Sequence, residues 1–357
     1  MNSLRKGIHR MPRYLAFALF GSGLFCAAAR ADLSFNWSPV GNAGNAADTT
    51  GFGAVSYNYR ISQTEVTNAQ YAEFLNAVAA TDAHGLYSPY MNSSTQGGIT
   101  RSGVSGSYTY SVKPAVAGQG PGGSEYAYDN KPVVFVSFFD AMRFVNWLHN
   151  GQGSGNTETG VYSISDGVSE SRAANANYWI PSEDEWYKAA YHDAAAGTAG
   201  TYFDFATASN ATPDNNLPTN DSGNSANFNA GDFSTPVYTT GSSDYPMIDV
   251  GAYTLSDSAY GTFDQAGNVW EWNEAVIDIS KRGLRGGSWY FDADALAVGF
   301  RNDNAPAFEG DAFGFRVATA AAIPEASPLL FGALASMGLA ILKLRKLSRV
   351  GTAAGCK

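Results

Sequence analysis

Two carboxylates, Asp264 and Glu271, lie seven residues apart on either side of Gly267. Calcium binds six to eight oxygen atoms, which proteins supply as carboxylates and backbone carbonyls. A loop between two such acids can fold over a hard cation and turn its own carbonyls toward the ion. The segment therefore predicts a calcium site. The alternative is a solvated turn in which the two carboxylates cap backbone N–H groups.

Thiol and imidazole chemistry has few residues available. The only cysteines are Cys26 and Cys356, close to the two ends of the chain. The body between them therefore holds no disulfide framework, no Cys-ligated zinc and no cysteine nucleophile. It has three histidines, His84, His149 and His192. The last two lie near predicted helix ends, where a histidine meets the helix dipole favourably, and we interpret them as structural.

The distribution of charge excludes a class of partner. Ten of the 22 lysines and arginines lie in residues 1–31 and 326–357, which contain no acid. Residues 32–325 therefore hold 12 basic and 32 acidic residues, a net charge of −20. A nucleic-acid-binding protein needs a basic face to neutralise phosphates, so we expect no nucleic-acid partner.

The sequence predicts three helices in the body. Thr67 can cap a helix that runs to about Ala79, and Ser137 opens a capping box whose helix is stopped by Gly151. Ser182 opens a second capping box. Apolar runs predict short strands at 57–61, 133–136, 284–287, 297–301 and 313–318. Surface loops rich in Gly, Ser, Asn and Thr are expected at 92–125, 151–177 and 193–243. Together these signals predict one α+β domain with long loops.

The N-terminus has the three parts of a secretory signal peptide. It begins with basic residues, continues with an apolar run at 14–29, and ends in Ala29-Arg30-Ala31. Signal peptidase is expected to cleave after Ala31, which makes residues 1–31 the signal peptide. The alternative is a retained membrane anchor, for which the apolar run is short.

The C-terminal segment, 321–357, also reads as an export signal. Pro324-Glu325 precedes an apolar run at 329–342 and then a basic tail. The run spans ~21 Å as a helix, less than the ~30 Å hydrocarbon core. This arrangement resembles the PEP-CTERM sorting signal of Gram-negative bacteria, which implies cleavage near Pro324 and Glu325 by an exosortase. We expect the protein in the periplasm, on the outer cell surface or in the extracellular matrix, after transient anchoring in the inner membrane. The alternative is a permanent C-terminal transmembrane helix.

Several motifs of the body, read in order, resemble one family. They are residues 61–68 (ISQTEVTN), 132–148, 180–186 (IPSEDEW), 260–272 (YGTFDQAGNVWEW), 285–289 (RGGSW) and 314–316 (GFR). The ordered set is similar to the formylglycine-generating enzyme, or sulfatase-modifying factor, family. The resemblance covers about residues 55–320, which is nearly all of the predicted domain at 32–320. It implies a C-type-lectin-like fold with little regular secondary structure.

The resemblance also implies a chemistry that this sequence lacks. The family's oxidase converts a sulfatase cysteine to formylglycine with Cu(I), which two enzyme cysteines hold as soft thiolates. The matching positions here are Phe291 and Leu296. Copper is therefore not expected, and we predict an exported binding or structural protein. The alternatives are an oxidase that takes copper ligands from a partner, or an enzyme of unknown chemistry on the same scaffold.

Calcium is the cofactor that the resemblance favours. In the family, a structural calcium is bound at the positions that match Asp264, the carbonyls of Gly267 and Val269, and Glu271. A second calcium uses the positions that match Asn227 and the carbonyl of Phe228, with a nearby acid for which Asp244 is the candidate.

The stretch between the RGGSW and GFR motifs forms the ligand surface in lectin-like folds of this kind. The residues that could contact a ligand are Trp289, Tyr290, Phe291, Asp292, Asp294, Asn302 and Asn304. They suit a cell-surface polysaccharide or a protein ligand. The alternative is an ordinary polar loop, because exposed loops are usually polar.

Overall fold

The computed structural model describes residues 33–320. This part of the chain contains the α-helices α1 (Asn68–Val78), α2 (Tyr90–Ser93), α3 (Phe138–His149) and α4 (Glu183–Tyr191). Its strands are β1 (Trp37–Val40), β2 (Tyr59–Ser62), β3 (Ile99–Ser102), β4 (Thr109–Val112), β5 (Tyr178–Trp179), β6 (Trp270–Ile277), β7 (Lys281–Arg285), β8 (Asn302–Asn304), β9 (Phe313–Gly314) and β10 (Ala318–Ala320). Mixed helices and strands with long connecting segments agree with the predicted α+β class.

The three longer helices begin where the sequence predicts. Thr67, Ser137 and Ser182 each accept a hydrogen bond from the backbone of the third helical residue, whose side chain returns a bond to the cap. These reciprocal bonds satisfy N–H groups that have no partner within the helix. Helix α3 ends at His149, two residues before Gly151, which has a φ of 87°. The helix predictions are confirmed.

The strands form two four-stranded sheets and one hairpin. The first sheet has the antiparallel order β1-β2-β10-β5, so that it joins the two ends of the described chain. The second has the order β8-β7-β6-β9, in which β6 and β9 are parallel and the other pairs antiparallel. The hairpin, β3–β4, lies inside the segment 92–125, which the sequence predicts to be only a loop.

Two predicted strands are wrong. Residues 133–136 are buried but form no strand; Val133 donates to the carbonyl of Val66, and Phe135 has a φ of 61°. Residues 297–301 follow a short 3-10 turn and are not a strand either. The predicted strand at 313–318 is split into β9 and β10 around Arg316. The longest strand, β6, is not among the predicted strands at all.

Aromatic side chains fill the core between the helices and the sheets. In the larger cluster, Phe144 of α3 lies with its ring centroid 5.3 Å from both Phe74 of α1 and Phe315. A second cluster surrounds α4, where Trp186 and Tyr191 pack with Phe228. Both clusters lie close to β6, because Trp270 and Trp272 belong to the first cluster and the loop before β6 contributes Ala266 to the second.

No helix within residues 33–320 is long and apolar enough to cross a membrane. The predicted signal peptide, with its cleavage after Ala31, lies outside the described residues. So do Pro324, Glu325 and the apolar segment 329–342. These predictions remain predictions.

Candidate functional site

The carboxylate of Glu271, at the start of β6, is held by an arginine. Glu271 and Arg316 are both fully buried. Arg316 donates to Glu271 from Nε (2.5 Å) and Nη2 (2.6 Å), and Trp186 Nε1 adds a third bond of 2.7 Å. Parallel pairing of β6 with β9 sets Glu271 beside Gly314, which brings Arg316 into reach. The GFR motif thus supplies the counter-charge for the predicted calcium ligand Glu271.

Asp264, the other predicted carboxylate ligand, lies beside a second acid, Glu65. Asp264 Oδ2 accepts the N–H of Gly251 at 2.6 Å. Burial raises the pKa of Asp264 to about 6. Burial, together with the neighbouring carboxylates of Asp264 and Glu271, holds the pKa of Glu65 well above its usual range. Sequence reasoning missed Glu65, although it belongs to the ISQTEVTN motif.

The three acids outnumber their counter-ion. Glu65, Asp264 and Glu271 share the single guanidinium of Arg316. Glu65 is fully buried; Oε1 accepts from Asn268 Nδ2 at 3.1 Å, while Oε2 has no N–H donor among the described residues. A buried carboxylate without a partner is costly and must gain a proton or a cation. The acids Glu65 and Asp264 therefore fit a hard cation better than Glu271 does.

The loop that precedes β6 is tightly constrained. Gly267 has a φ of 87°, and a Cβ there would lie 2.2 Å from the carbonyl oxygen of Asn227. Val269 is fully buried. Within residues 33–320, no group of three or more His, Cys, Asp and Glu side chains is arranged to hold a metal. Calcium here would therefore depend on carbonyl or amide oxygens, such as those predicted from Gly267 and Val269.

The predicted second calcium site shows one oxygen that needs a partner. Asn227 is 2% exposed and donates from Nδ2 to Pro246 O and Asn268 Oδ1, both at 3.0 Å. Its Oδ1 has no hydrogen-bond partner in the described part of the chain. The carbonyl of Phe228 accepts from Thr239 at 3.5 Å, and Asp244 is exposed. Asn227 fits a ligand role, whereas no contact ties Asp244 to it in the described residues.

The histidines of the body have structural contacts. His192 is the C-cap of α4; its Nδ1 lies 2.9 Å from Tyr260 Oη and its Nε2 lies 2.9 Å from the carbonyl of Ala199. Burial lowers the pKa of His192, which favours the neutral ring. His149 ends α3 and accepts the N–H of Asn177. The helix-end positions are confirmed, and both histidines form hydrogen bonds there.

Part of the predicted ligand surface is an aromatic cluster. Tyr290 is 42% exposed, and its ring centroid lies 5.5 Å from Trp289 and 5.8 Å from Phe291. Two aromatics that the sequence did not single out complete the cluster. Phe233, 58% exposed, lies 5.4 Å from Tyr290, and Tyr238 lies 5.6 Å from Trp289. Nothing in the sequence indicated their role, because Phe233 and Tyr238 are isolated aromatic residues in a loop rich in Gly, Ser and Thr.

Asp292 and Asp294 line a cleft of about 380 Å³ next to this cluster. Phe228 and Asn229 also line this cleft. The other predicted contact residues lie in a different element: Asn302 and Asn304 belong to β8, at the edge of the second sheet, where each accepts the N–H of the following residue. The structure thus brings residues 289–294 together and leaves Asn302 and Asn304 in strand pairing with β7.

Comparison with known families identifies the scaffold. The model of the sulfatase-modifying factor enzyme 1-like domain matches residues 46–321. The chain belongs to this family. The predicted resemblance to the formylglycine-generating enzyme scaffold is confirmed by this match, which covers all the motifs described above.

The individual relatives match this chain either over a short segment or at low sequence identity. The inactive Cα-formylglycine-generating enzyme 2 of Bos taurus is 41% identical over 73 residues, and that of Mus musculus is 39% identical over 74 residues. Each match spans 18% of this chain and about a quarter (24%) of the relative. Among solved structures, Treponema denticola variable protein 1 is 21% identical with a TM-score of 0.45, covering 80% of this chain and 95% of its own. The protein CarF is 18% identical with a TM-score of 0.47, covering 81% and 100%.

Phe291 and Leu296, which the sequence resemblance predicts at the copper-ligand positions, lie inside this sulfatase-modifying factor domain. Leu296 is fully buried, in the cluster around α4, and its methyl group lies 2.6 Å from where a Cβ on Gly287 would be. Phe291 is partly buried, and its ring centroid lies 5.4 Å from that of Trp270. Both side chains are part of the packing, and neither carries an atom that binds Cu(I).

Proposed function

We propose that this protein is an exported binding or structural protein that uses the formylglycine-generating enzyme scaffold without its oxidase chemistry. The observation that carries the proposal is the lack of any thiol in the body, where the resemblance matches Phe291 and Leu296 to the copper ligands. Cu(I) needs soft ligands, and hydrocarbon side chains packed into two aromatic clusters supply none. The two mammalian relatives that match in part are named as inactive formylglycine-generating enzymes, which is in line with non-catalytic members of the family.

An oxidase assay tests this proposal. Purified protein is incubated with Cu(I), oxygen and a cysteine-containing sulfatase peptide, and the peptide is analysed by mass spectrometry for formylglycine. No conversion is expected. A double variant, Phe291→Cys/Leu296→Cys, provides a matched comparison for copper binding, because it restores both thiols. Turnover by the unmodified protein would overturn the proposal in favour of an oxidase that obtains its copper ligands elsewhere.

We further propose calcium as the structural cofactor. The support is chemical: Glu65 is fully buried and Asp264 partly buried, both have raised pKa values, and the oxygens Glu65 Oε2 and Asn227 Oδ1 have no donor among the described residues. Hard oxygen ligands of this kind suit calcium. When bound, the ion would supply positive charge that Arg316 alone does not provide. Glu271, which Arg316 already holds, would contribute less than its place in the motif implies.

Export is proposed from the terminal sequences. Signal peptidase would remove residues 1–31, and an exosortase-type enzyme would cut near Pro324 and Glu325 and release the protein to the periplasm, cell surface or matrix. The intact mass of the exported protein tests this. The expected mass lacks residues 1–31 and most of 324–357. A mass that retains residues 329–342 would favour a permanent membrane anchor.

We place the binding surface at residues 289–294, on a C-type-lectin-like variant of the family fold. Contiguous patches of exposed apolar side chains are typical of interaction sites. Tyr290 and Phe233 are both exposed and in contact, and the neighbouring cleft is lined by Asp292 and Asp294. A glycan array and a pull-down with cell-surface proteins would distinguish a polysaccharide from a protein ligand, and no binding to either would reject a binding role.

A further inference from the structure

The loop at residues 229–238 presents an exposed aromatic side chain in a fixed position. Asn229, only 1% exposed, accepts the N–H groups of Gly231 (3.0 Å) and Val237 (2.7 Å) with its side-chain oxygen. Asp232 caps the tip of the loop by accepting the N–H groups of the two residues that follow Phe233, at 2.8 and 2.7 Å. The loop is therefore ordered by its own hydrogen bonds, while Phe233 at its tip remains 58% exposed.

This loop is attached to the proposed binding surface. The N–H of Asn229 donates to the carbonyl of Phe291 at 2.9 Å, and the ring of Phe233 contacts Tyr290 and Phe291. Asn229 also lines the cleft that contains Asp292 and Asp294. The loop therefore contributes Asn229 to the cleft that holds the two carboxylates, and Phe233 to the ring cluster of Tyr290 and Phe291.

The charges of this surface select the ligand. In residues 33–320, neither Asp292 nor Asp294 has an ion-pair partner, whereas acids such as Glu183 and Glu185 are paired with arginine. Carboxylates repel an anionic polysaccharide and attract ammonium or guanidinium groups, which also bind favourably over aromatic rings.

The arrangement of the rings argues against a sugar-stacking platform. Phe233 is inclined at 45° to Tyr290 and at 89° to Phe291, and Tyr290 is inclined at 82° to Phe291. No two of these three rings form a continuous flat face on which a sugar ring could stack. The gaps between inclined rings suit a flexible chain of methylene groups that ends in a charge.

We propose that the 229–238 loop and residues 289–294 together bind the basic side chains of a peptide or protein segment. Asp292 and Asp294 bind the charged groups, and Phe233 and Tyr290 pack against the aliphatic parts. The proposal rests on the binding function above and names the class of ligand for the same surface.

Fluorescence anisotropy with a labelled peptide of alternating arginine and glycine tests the proposal at 150 mM salt, with an alternating glutamate and glycine peptide as the reference probe. The arginine peptide should bind saturably and the glutamate peptide should not. Asp292→Asn/Asp294→Asn should weaken binding about tenfold, because two charge-assisted contacts are lost. Phe233→Ala should weaken it about threefold or more.

Matched variants separate a site from general attraction to an acidic protein. Glu125→Gln/Asp129→Asn removes the same charge from exposed positions elsewhere, and Tyr90→Ala removes another exposed aromatic ring. Both should bind within twofold of the wild type. Equal weakening by the control double variant, or absence of saturable binding, would overturn the proposal.

Two further outcomes distinguish this inference from the binding function on which it rests. Binding of a neutral glycan that Phe233→Ala abolishes would overturn the basic ligand and leave the binding function standing. Formylglycine production in the oxidase assay would overturn the proposed function itself.

Discussion

Replacing Arg316 by methionine tests whether this residue is the charge that holds the acidic centre together. The variant keeps a long apolar side chain but leaves the fully buried carboxylate of Glu271 with no cation, beside the acids Glu65 and Asp264. Removing one partner of a buried ion pair costs about 3–5 kcal/mol. Arg316 also donates to the carbonyls of Ser62 and Phe263, so the loss should lie at the upper end of this range.

The matched control is Arg301→Met. Arg301 binds Glu183, but its side chain is 35% exposed and Glu183 keeps a second partner, Arg285. Because a partly exposed pair contributes little and no buried charge is orphaned, the expected cost is about 0–1 kcal/mol. A double variant, Arg316→Met/Glu271→Gln, should recover part of the loss, since it removes the unpaired charge.

Urea unfolding followed by tryptophan fluorescence measures these differences, because Trp186 and Trp270 are fully buried next to the centre. The free energy of unfolding should fall in the order wild type, Arg301→Met, double variant, Arg316→Met. If Arg316→Met costs no more than Arg301→Met, the charge balance inferred for this centre is incorrect. If the double variant is no more stable than Arg316→Met, the loss comes from packing and carbonyl contacts instead.

Three other predictions concern calcium, pH and the loop before β6. Calcium at a hundredfold excess over its Kd should stabilise the protein by about 2.7 kcal/mol in thermal melts, and EGTA should reverse this. The variant Glu65→Gln should reduce the response, whereas the control Asp129→Asn should not. A full response in Glu65→Gln would exclude Glu65 as a ligand. Burial raises the pKa of Asp140 to about 7, so the native state binds this proton more tightly than the unfolded chain and is stabilised as pH falls from 8 toward 4. Asp140→Asn should flatten that rise in melting temperature, and an unchanged pH profile would show that Asp140 titrates normally. Gly267→Ala should destabilise by about 2–3 kcal/mol or more in urea, because its Cβ would meet a carbonyl oxygen at 2.2 Å. Gly44→Ala, with a φ of 80° and no atom within 4 Å, should cost only about 1 kcal/mol; equal losses would mean that positive φ alone sets the cost at Gly267.

Local signals were sufficient where the stabilising partner is close in sequence. The capping boxes at Thr67, Ser137 and Ser182 join residues three positions apart, so each helix start could be predicted without knowledge of the fold. The family could also be recognised, because its motifs keep their order along the chain. The lack of thiols between Cys26 and Cys356 was likewise visible, since it is a property of composition.

Strand pairing depended on residues far away in the chain. The apolar run at 133–136 is buried without a ladder partner, so its composition reflected burial rather than strand formation. Strand β6 has acidic residues next to its tryptophans, so it contains no apolar run from which a strand could be predicted. Its Glu271 is stable in the core only because Arg316, 45 residues later, neutralises it. Propensity and periodicity report local environment, and neither contains this long-range pairing.

The sequence by itself determined the helix starts, the scaffold, the absence of thiols from the body and the carboxylates of the loop before β6. Only the tertiary structure decided how those carboxylates are used. In the folded protein, Glu271 forms an ion pair with Arg316. Glu65 lies beside these residues although it is nearly 200 residues earlier in the chain, and it accepts a hydrogen bond from Asn268, 203 residues away. The fold also sets Phe233 against Tyr290. The physical reason is that the partners of a buried charge or an aromatic ring are the groups that the fold brings close to it. Distance along the chain does not specify distance in space.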